Sequence, residues 1–325
     1  MANVLLTDFC NRGCAYCFAR KKISTDTDGT DRIDGTISME NVDTAIKFLK
    51  RSGVGTFTAL GGEPTLHPCF TDILDRAYAE DLNVRVFSNG LIPPEHLSYL
   101  ERTDPRRTSI IININEPDEY RDEQWAQTIG TLESLGGKVS LGFNIYNKRF
   151  DSSFLVDLTI RHGLRRVLRI GLAQPIYGAD NAYIPVKEYS DISGKIVALA
   201  KRCSEYDIAL DFDCGFTLCM FSEQQLGELY FNGTPFVFTC PTVIDIGTNL
   251  DVWHCFPLST IMNTHLSRFE NRNQIARFYF EKLHPYRRLG SMDRCASCKH
   301  LRRGFCSGGC LSHNLSLFCH SAESD

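Results

Sequence analysis

The sequence predicts an α/β fold, a parallel sheet with outer helices over residues 1–207, followed by a small cysteine-rich domain over 208–325. Three observations carry this. Strand-like and helix-like segments alternate regularly up to Tyr206 and make six strand-helix units, the pattern of a parallel sheet covered by helices. The alternation stops near Asp207. Beyond it, between Cys214 and Cys319, lie nine of the fourteen cysteines.

The first strand is the apolar run around Val4-Leu5-Leu6, and a cysteine-bearing loop follows it. Lys21 to Ser38 is polar, with repeated Asp, Thr and Gly, and reads as a loop and a candidate cover for a site. Met39 to Arg51 places Val42, Ala45, Ile46 and Leu49 at helical spacing, with Ser38 as N-cap and Gly53 as stop signal. A strand over Thr56–Leu60 comes next. Then follow a helix over about 70–80, a strand over 84–87, a helix over 95–101, a strand over 109–114 and a helix over 118–135 closed by Gly136-Gly137. A strand over 138–145, a helix over 152–162 stopped by Gly163, a strand over 167–172 and a helix over 187–206 complete the series.

Cys10, Cys14 and Cys17 sit in TDFCNRGCAYCF, directly after the first strand. A closed zinc site wants four protein ligands, and the next candidates, His67 and Cys69, lie about fifty residues on. An iron-sulfur cube held by three thiolates keeps one iron open. The second motif, Leu60-Gly61-Gly62-Glu63-Pro64-Thr65, follows the second strand; paired glycines let backbone approach a ligand closely, and a glutamate can accept from an ammonium. In parallel sheets ligands collect at the C-terminal strand ends, where Ser88-Asn89-Gly90, Asn113 and Asn115 also fall.

Together the CxxxCxxC loop and the GGEP run resemble the radical S-adenosylmethionine (SAM) family. The resemblance implies a partial (β/α)6 barrel and a [4Fe–4S] cluster on Cys10, Cys14 and Cys17, whose open iron is chelated by the amino and carboxylate groups of SAM. It implies that Gly61, Gly62, Glu63 and Pro64 line the methionyl amino group, that Ser88 and Asn113 lie among the ribose and carboxylate contacts, and that Tyr16 and Leu172 pack near the adenine.

In the tail, Cys240 and Cys255 are followed by Cys295, Cys298, Cys306, Cys310 and Cys319. A pair of zinc ribbons would suit CxxC and CxxxC taken alone. Beside the N-terminal loop, the arrangement resembles the SPASM extension of radical SAM enzymes, which implies two auxiliary [4Fe–4S] clusters. One would take Cys240, Cys255, Cys310 and an upstream cysteine; the other would take Cys295, Cys298, Cys306 and Cys319. Seven residues rather than five separate Cys298 from Cys306, and Leu250 stands where the frame has a glycine. DFDCGFTLCMF offers both Cys214 and Cys219 upstream. Cys219 is the expected ligand, which leaves Cys214 as a candidate hydrogen donor to a substrate radical. Cys69 and Cys203 are read as structural, as are Asp211, Asp213 and Tyr177.

A formal net charge of −4 gives no general attraction to polyanions. The stretch from Arg268 to Arg303 carries ten Lys or Arg against three acidic residues, read as a solvated face that offsets the charge of thiolate-ligated iron. Nucleic acid is not an expected partner. No stretch approaches the roughly 18 apolar residues of a membrane span, and no secretory pattern opens the chain, so a cytoplasmic location is expected.

The resemblance implies reductive cleavage of SAM to a 5'-deoxyadenosyl radical that abstracts hydrogen from a peptide or protein side chain. The electron would come from an external donor such as flavodoxin or ferredoxin. Because the first strand begins by about Val4, recognition of a precursor's leader would use another surface or an external protein. The alternatives are dehydrogenation of a small molecule such as a sugar alcohol, and a non-catalytic iron-sulfur electron carrier.

Overall fold

The structure is a computed structural model, described over residues 2–23, 35–235 and 238–319; side chains are described up to residue 316. The loop expected over Lys21–Ser38, with its covering role, falls largely outside the described residues.

The chain forms two compact units that interleave along the sequence. The first comprises 1–14, 19–139 and 242–280; the second comprises 15–18, 140–241 and 281–325. A cut at residue 207 follows cysteine content, whereas compactness divides the chain differently.

In the first unit, β1 (Ala2–Leu5), β2 (Thr56–Leu60), β3 (Asn83–Ser88) and β4 (Thr108–Asn113) run parallel in that order. Three short strands, β8 (Ile244–Ile246), β9 (Asp251–Trp253) and β10 (Thr264–His265), extend the sheet on the other side of β1. β8 lies parallel to β1, and β9 and β10 add antiparallel. The helices are α1 (Met39–Arg51), α2 (Phe70–Ala79), α3 (Pro94–Arg102) and α4 (Asp122–Leu135). α1 forms where its spacing predicts: the Ser38 Oγ accepts from Asn41 N–H at 3.2 Å, Glu40 and Lys50/Arg51 complement the helix dipole, and Val42, Ala45, Ile46 and Leu49 are buried. The helix expected from residue 118 begins instead as one 3₁₀ turn over Pro117–Glu119, after which Tyr120 and Arg121 are extended and α4 starts at Asp122.

In the second unit β5 (Val139–Ile145), β6 (Val167–Leu172) and β7 (Ala209–Phe212) are parallel neighbours, with α5 (Ser153–Arg161) and α6 (Ser193–Glu205) between them in sequence. Strand pairing therefore continues past residue 207. α7 (Glu223–Phe231), opened by a Ser222–Gln225 capping box, the four-residue α9 (Lys299–Arg302) and α10 (Leu311–Cys319) belong to this unit, while α8 (Arg272–Arg287) begins in the first unit and ends in the second. Among the described residues no helix is long and apolar enough to cross a membrane.

One buried pair couples the sheet to pH. Asn3 faces Asp245 across the β1–β8 ladder and donates to its Oδ1 at 2.7 Å, with both side chains buried. Burial pushes the Asp245 carboxyl up to about 7, opposed by the Asn3 hydrogen bond. The folded state thus holds a proton that an unfolded aspartate releases near pH 4, and stability falls as pH rises from about 4 to about 7, by on the order of a few kcal/mol. Asp245→Asn, whose amide could also donate to the unpartnered Asn3 Oδ1, should match the wild type in urea midpoint near pH 4.5 and exceed it at pH 7.5. A difference between the two that stayed constant across this range would refute the assignment.

Candidate functional site

The parallel registers of the first unit bring the ends of β1 to β4 to one edge, since Leu5 pairs with Leu60, Ala59 with Val86 and Ser88 with Ile112. The cysteine loop leaves that edge and is pinned to the GGEP run by main chain. Gly62 N–H donates to Thr7 O at 2.9 Å, and Glu63 N–H donates to Phe9 O at 2.6 Å. The approach is so close that a Cβ on Gly62 would lie 2.0 Å from Phe9 O, and one on Gly61 would lie 2.8 Å from Thr7 O. The paired glycines are needed for this contact between segments, at Gly62 above all.

Glu63 is fully buried beneath it. Its Oε1 accepts from the Thr65 hydroxyl at 2.7 Å and the Thr65 N–H at 3.3 Å; its Oε2 accepts from Asn89 N–H at 2.7 Å. Burial raises its pKa, while these bonds and one from Ser88 act in the opposite direction. The carboxylate thus ties the end of β2 to the end of β3. Pro64 opens the 3₁₀ turn that follows. Asn89 carries the connection onward, its Nδ2 donating to Asn11 Oδ1 at 2.7 Å and standing 3.6 Å from Cys10 Sγ. Asn11 donates to Leu91 O at 2.9 Å.

Cys14 has a similar amide beside it: Asn115 Nδ2 lies 3.9 Å from its Sγ and donates to Glu119 Oε2 at 2.9 Å. The Tyr120 hydroxyl accepts from Asn115 N–H, and the Arg12 guanidinium stacks 3.7 Å from the Tyr120 ring centroid. Arg12, Asn11 and Tyr120 carry no motif and were not singled out from sequence. Asn113 is the last residue of β4, half-buried.

Cys17 and Tyr16 belong to the second unit. Tyr16 is buried and stacked on Tyr146, one residue past β5, with ring centroids 5.1 Å apart. Asn181 Nδ2 donates to the carbonyls of Tyr16 and Gln174. Leu172 is buried at the end of β6, beside Ile145 in register.

The C-terminal thiols of the second unit fall into two groups. Cys219, Cys295, Cys298 and Cys306 line one cavity of about 500 Å³, together with Arg294, Lys299 and His300. Burial raises the Cys295 thiol's pKa, and the neighbouring Cys219 and Cys306 raise it further. Burial likewise pushes the Cys310 thiol up to about 11, with Cys240 adding to the rise. Cys310 and Cys214 both act electrostatically on the buried Tyr189 hydroxyl, which is hydrogen-bonded to His313 Nε2 at 3.2 Å. Burial lowers the His313 pKa to about 4. Cys214 N–H donates to Asp213 Oδ1, which pairs with Arg169 at 2.7 Å.

Cys219 is thus grouped with Cys295, Cys298 and Cys306, whereas the sequence frame sets it with Cys240 and Cys310. Cys255 lies in the first unit, and the side chain of Cys319 lies outside the described residues. Cys203 is buried inside α6, its thiol pushed up to about 12 by burial, and Cys69 stands at the N-cap position of α2 without a side-chain capping bond. Among the described residues no three His, Cys, Asp or Glu side chains converge on a point that could hold a single metal ion.

Residues 4–145 match the family model of the Radical SAM superfamily, and this segment is a domain of that superfamily. The chain is similar to the antilisterial bacteriocin subtilosin biosynthesis protein AlbA of Bacillus subtilis, 26% identical over 44% of this chain and 32% of AlbA. It is also similar to GTP 3',8-cyclase of Alkaliphilus oremlandii, 22% identical over 43% of each chain. The matches therefore span well under half the length of these relatives. Among solved structures, anSMEcpe with bound AdoMet superposes with a TM-score of 0.67 at 14% identity, over 99% of this chain and 91% of that one. The same protein has also been solved with AdoMet and the Kp18Cys peptide, with a TM-score of 0.64 at 14% identity over 95% of this chain and 88% of that one. These likenesses establish the fold class, an α/β partial barrel with a small cysteine-rich C-terminal part.

Proposed function

We propose that this chain is a radical SAM enzyme acting on a peptide or protein side chain, as a ribosomal peptide maturase or similar oxidoreductase. It would work in the cytoplasm with electrons from a carrier such as a flavodoxin or ferredoxin, since a thiol-rich iron-sulfur chain needs a reducing compartment. Cys10, Cys14 and Cys17 hold the [4Fe–4S] cluster that binds SAM. Once bound, this pair would supply the electron and the carbon–sulfur bond whose cleavage gives methionine and a 5'-deoxyadenosyl radical able to take hydrogen from substrate.

The rest is the protein's part. The observation that carries the reading is the docking of Gly61-Gly62-Glu63 on the backbone of Thr7 and Phe9, which locks the cysteine loop against the strand ends. Asn89 and Asn115 place amide donors beside Cys10 and Cys14, where hydrogen bonds to sulfur help set a cluster's potential. Glu63 organises this loop from beneath. Tyr16, Leu172, Ser88 and Asn113 bind the nucleoside and carboxylate of SAM. Cys240, Cys255 and Cys310 would hold one auxiliary cluster with an upstream cysteine, and Cys214, which like Cys310 acts on the buried Tyr189 hydroxyl, is the candidate left for that place when Cys219 serves elsewhere. Cys295, Cys298 and Cys306 hold a second with a fourth thiolate.

A peptide substrate is supported by the likeness to AlbA, a bacteriocin biosynthesis protein, and to anSMEcpe, solved with a peptide. The likeness to GTP 3',8-cyclase favours a second reading, a small-molecule substrate. Anaerobically reconstituted, reduced protein should release 5'-deoxyadenosine from SAM even without substrate. A silent, fully clustered preparation would instead mark an electron carrier. Mass shifts in candidate peptides, against none in small alcohols or nucleotides, separate the two substrate classes.

A further inference from the structure

We infer that Cys219 supplies the fourth thiolate of the cluster site formed by Cys295, Cys298 and Cys306, in the place that the sequence frame gives to Cys319. This rests on the reading of the tail as an iron-sulfur carrier and assigns its ligands differently.

Four thiols from three separate segments line a single cavity. Cys219 comes from the 3₁₀ turn Leu218–Met220, Cys295 lies within the 3₁₀ turn Asp293–Ser297 and Cys298 ends it before α9, and Cys306 follows α9. They ring a space rather than meet at a point, as a cube with one thiolate per iron requires and a tetrahedral zinc site does not.

The wall behind Cys295 is built for closeness. Gly290 and Gly308 both adopt positive φ, +70° and +71°, and a Cβ on Gly290 would lie 2.3 Å from Cys295 Cβ and 2.7 Å from its Sγ. Ser291 N–H donates to Gly308 O at 2.9 Å, and Gly308 N–H donates to Cys306 Sγ at 3.3 Å. One thiol therefore already has the backbone donor that a ligating sulfur favours. Arg294 and Lys299 outnumber the one carboxylate in the lining, Glu223, in a cavity otherwise walled mainly by Leu218, Phe221, Leu226, Met292 and Leu301, and a thiolate-ligated cluster carries net negative charge. Each thiol enters as thiolate and releases its proton on binding.

The test compares full-length wild type, Cys219→Ala and Cys319→Ala after anaerobic reconstitution. Iron, sulfide and zinc are measured, together with the EPR of the reduced protein and the thermal midpoint. The expected result is that Cys219→Ala loses about four iron and four sulfide, or keeps a cluster with a changed EPR signal that reverts towards wild type in Cys219→Ser. Cys319→Ala should match wild type in both. The inference is overturned if Cys219→Ala is indistinguishable from wild type in iron and EPR, or if Cys319→Ala shows the loss instead. Wild type that binds the iron of one cluster only, or zinc without sulfide, would remove the auxiliary clusters themselves, a separate failure visible before any variant is made.

Discussion

Cys14→Ala is expected to abolish release of 5'-deoxyadenosine from SAM and to lose the iron and sulfide of one cluster while the C-terminal iron stays. Cys10, Cys14 and Cys17 are three thiolates on one loop, and removing one leaves two to hold a cube that has one open corner by design. The polar side chain set beside the Cys14 sulfur is the amide of Asn115, a donor toward sulfur and no thiolate. The C-terminal thiols sit on other segments, and the group that includes Cys295 and Cys306 has its own cavity. Iron analysis beside a SAM-cleavage assay reads both halves of the expectation. Turnover that survives the change, or loss of all iron, would mean the cluster has been put on the wrong residues.

Much of this arrangement is legible in the sequence because it is local. α1 could be read from Ser38, the spacing of Val42, Ala45, Ile46 and Leu49, and Gly53, since each acts within a few residues. β6 falls on Val167–Leu172 as its apolar run predicts. What escaped depends on partners far along the chain. β8 is three residues long, too short for a pattern, and is a strand because Asn3 and Asp245 pair across the ladder. Arg12 looks like an ordinary loop cation until Tyr120 is placed beneath it. Asn89 reads as half of a common Asn-Gly turn pair, yet it links Glu63 to Asn11 and lies beside Cys10. The choice between Cys214 and Cys219 could not be made from spacing, because it turns on which of two thiol groups each segment meets.

Gly62→Ala should cost nearly as much as losing a ligand, although it removes no donor atom. The added methyl would lie 2.0 Å from Phe9 O, 2.3 Å from Phe9 C and 2.8 Å from Cys10 N. These are backbone atoms, so no side chain can swing aside to make room. The segments must separate, which strains or breaks the bonds from Gly62 N–H to Thr7 O and Glu63 N–H to Phe9 O, and moves Cys10 off its place beside Asn89. Overpacking of this kind costs about 1–3 kcal/mol, and misplacing a reacting centre by about 1 Å costs on the order of 100-fold in rate. The expectation is therefore a fall in SAM cleavage of about 100-fold or more, with partial loss of iron from the N-terminal site. Gly13→Ala is the internal control, since Gly13 lies in the same loop and a Cβ there meets nothing within 4 Å. It should retain near wild-type iron and thermal midpoint. Equal behaviour of the two variants would show that the glycine pair answers to something other than the approach of Phe9.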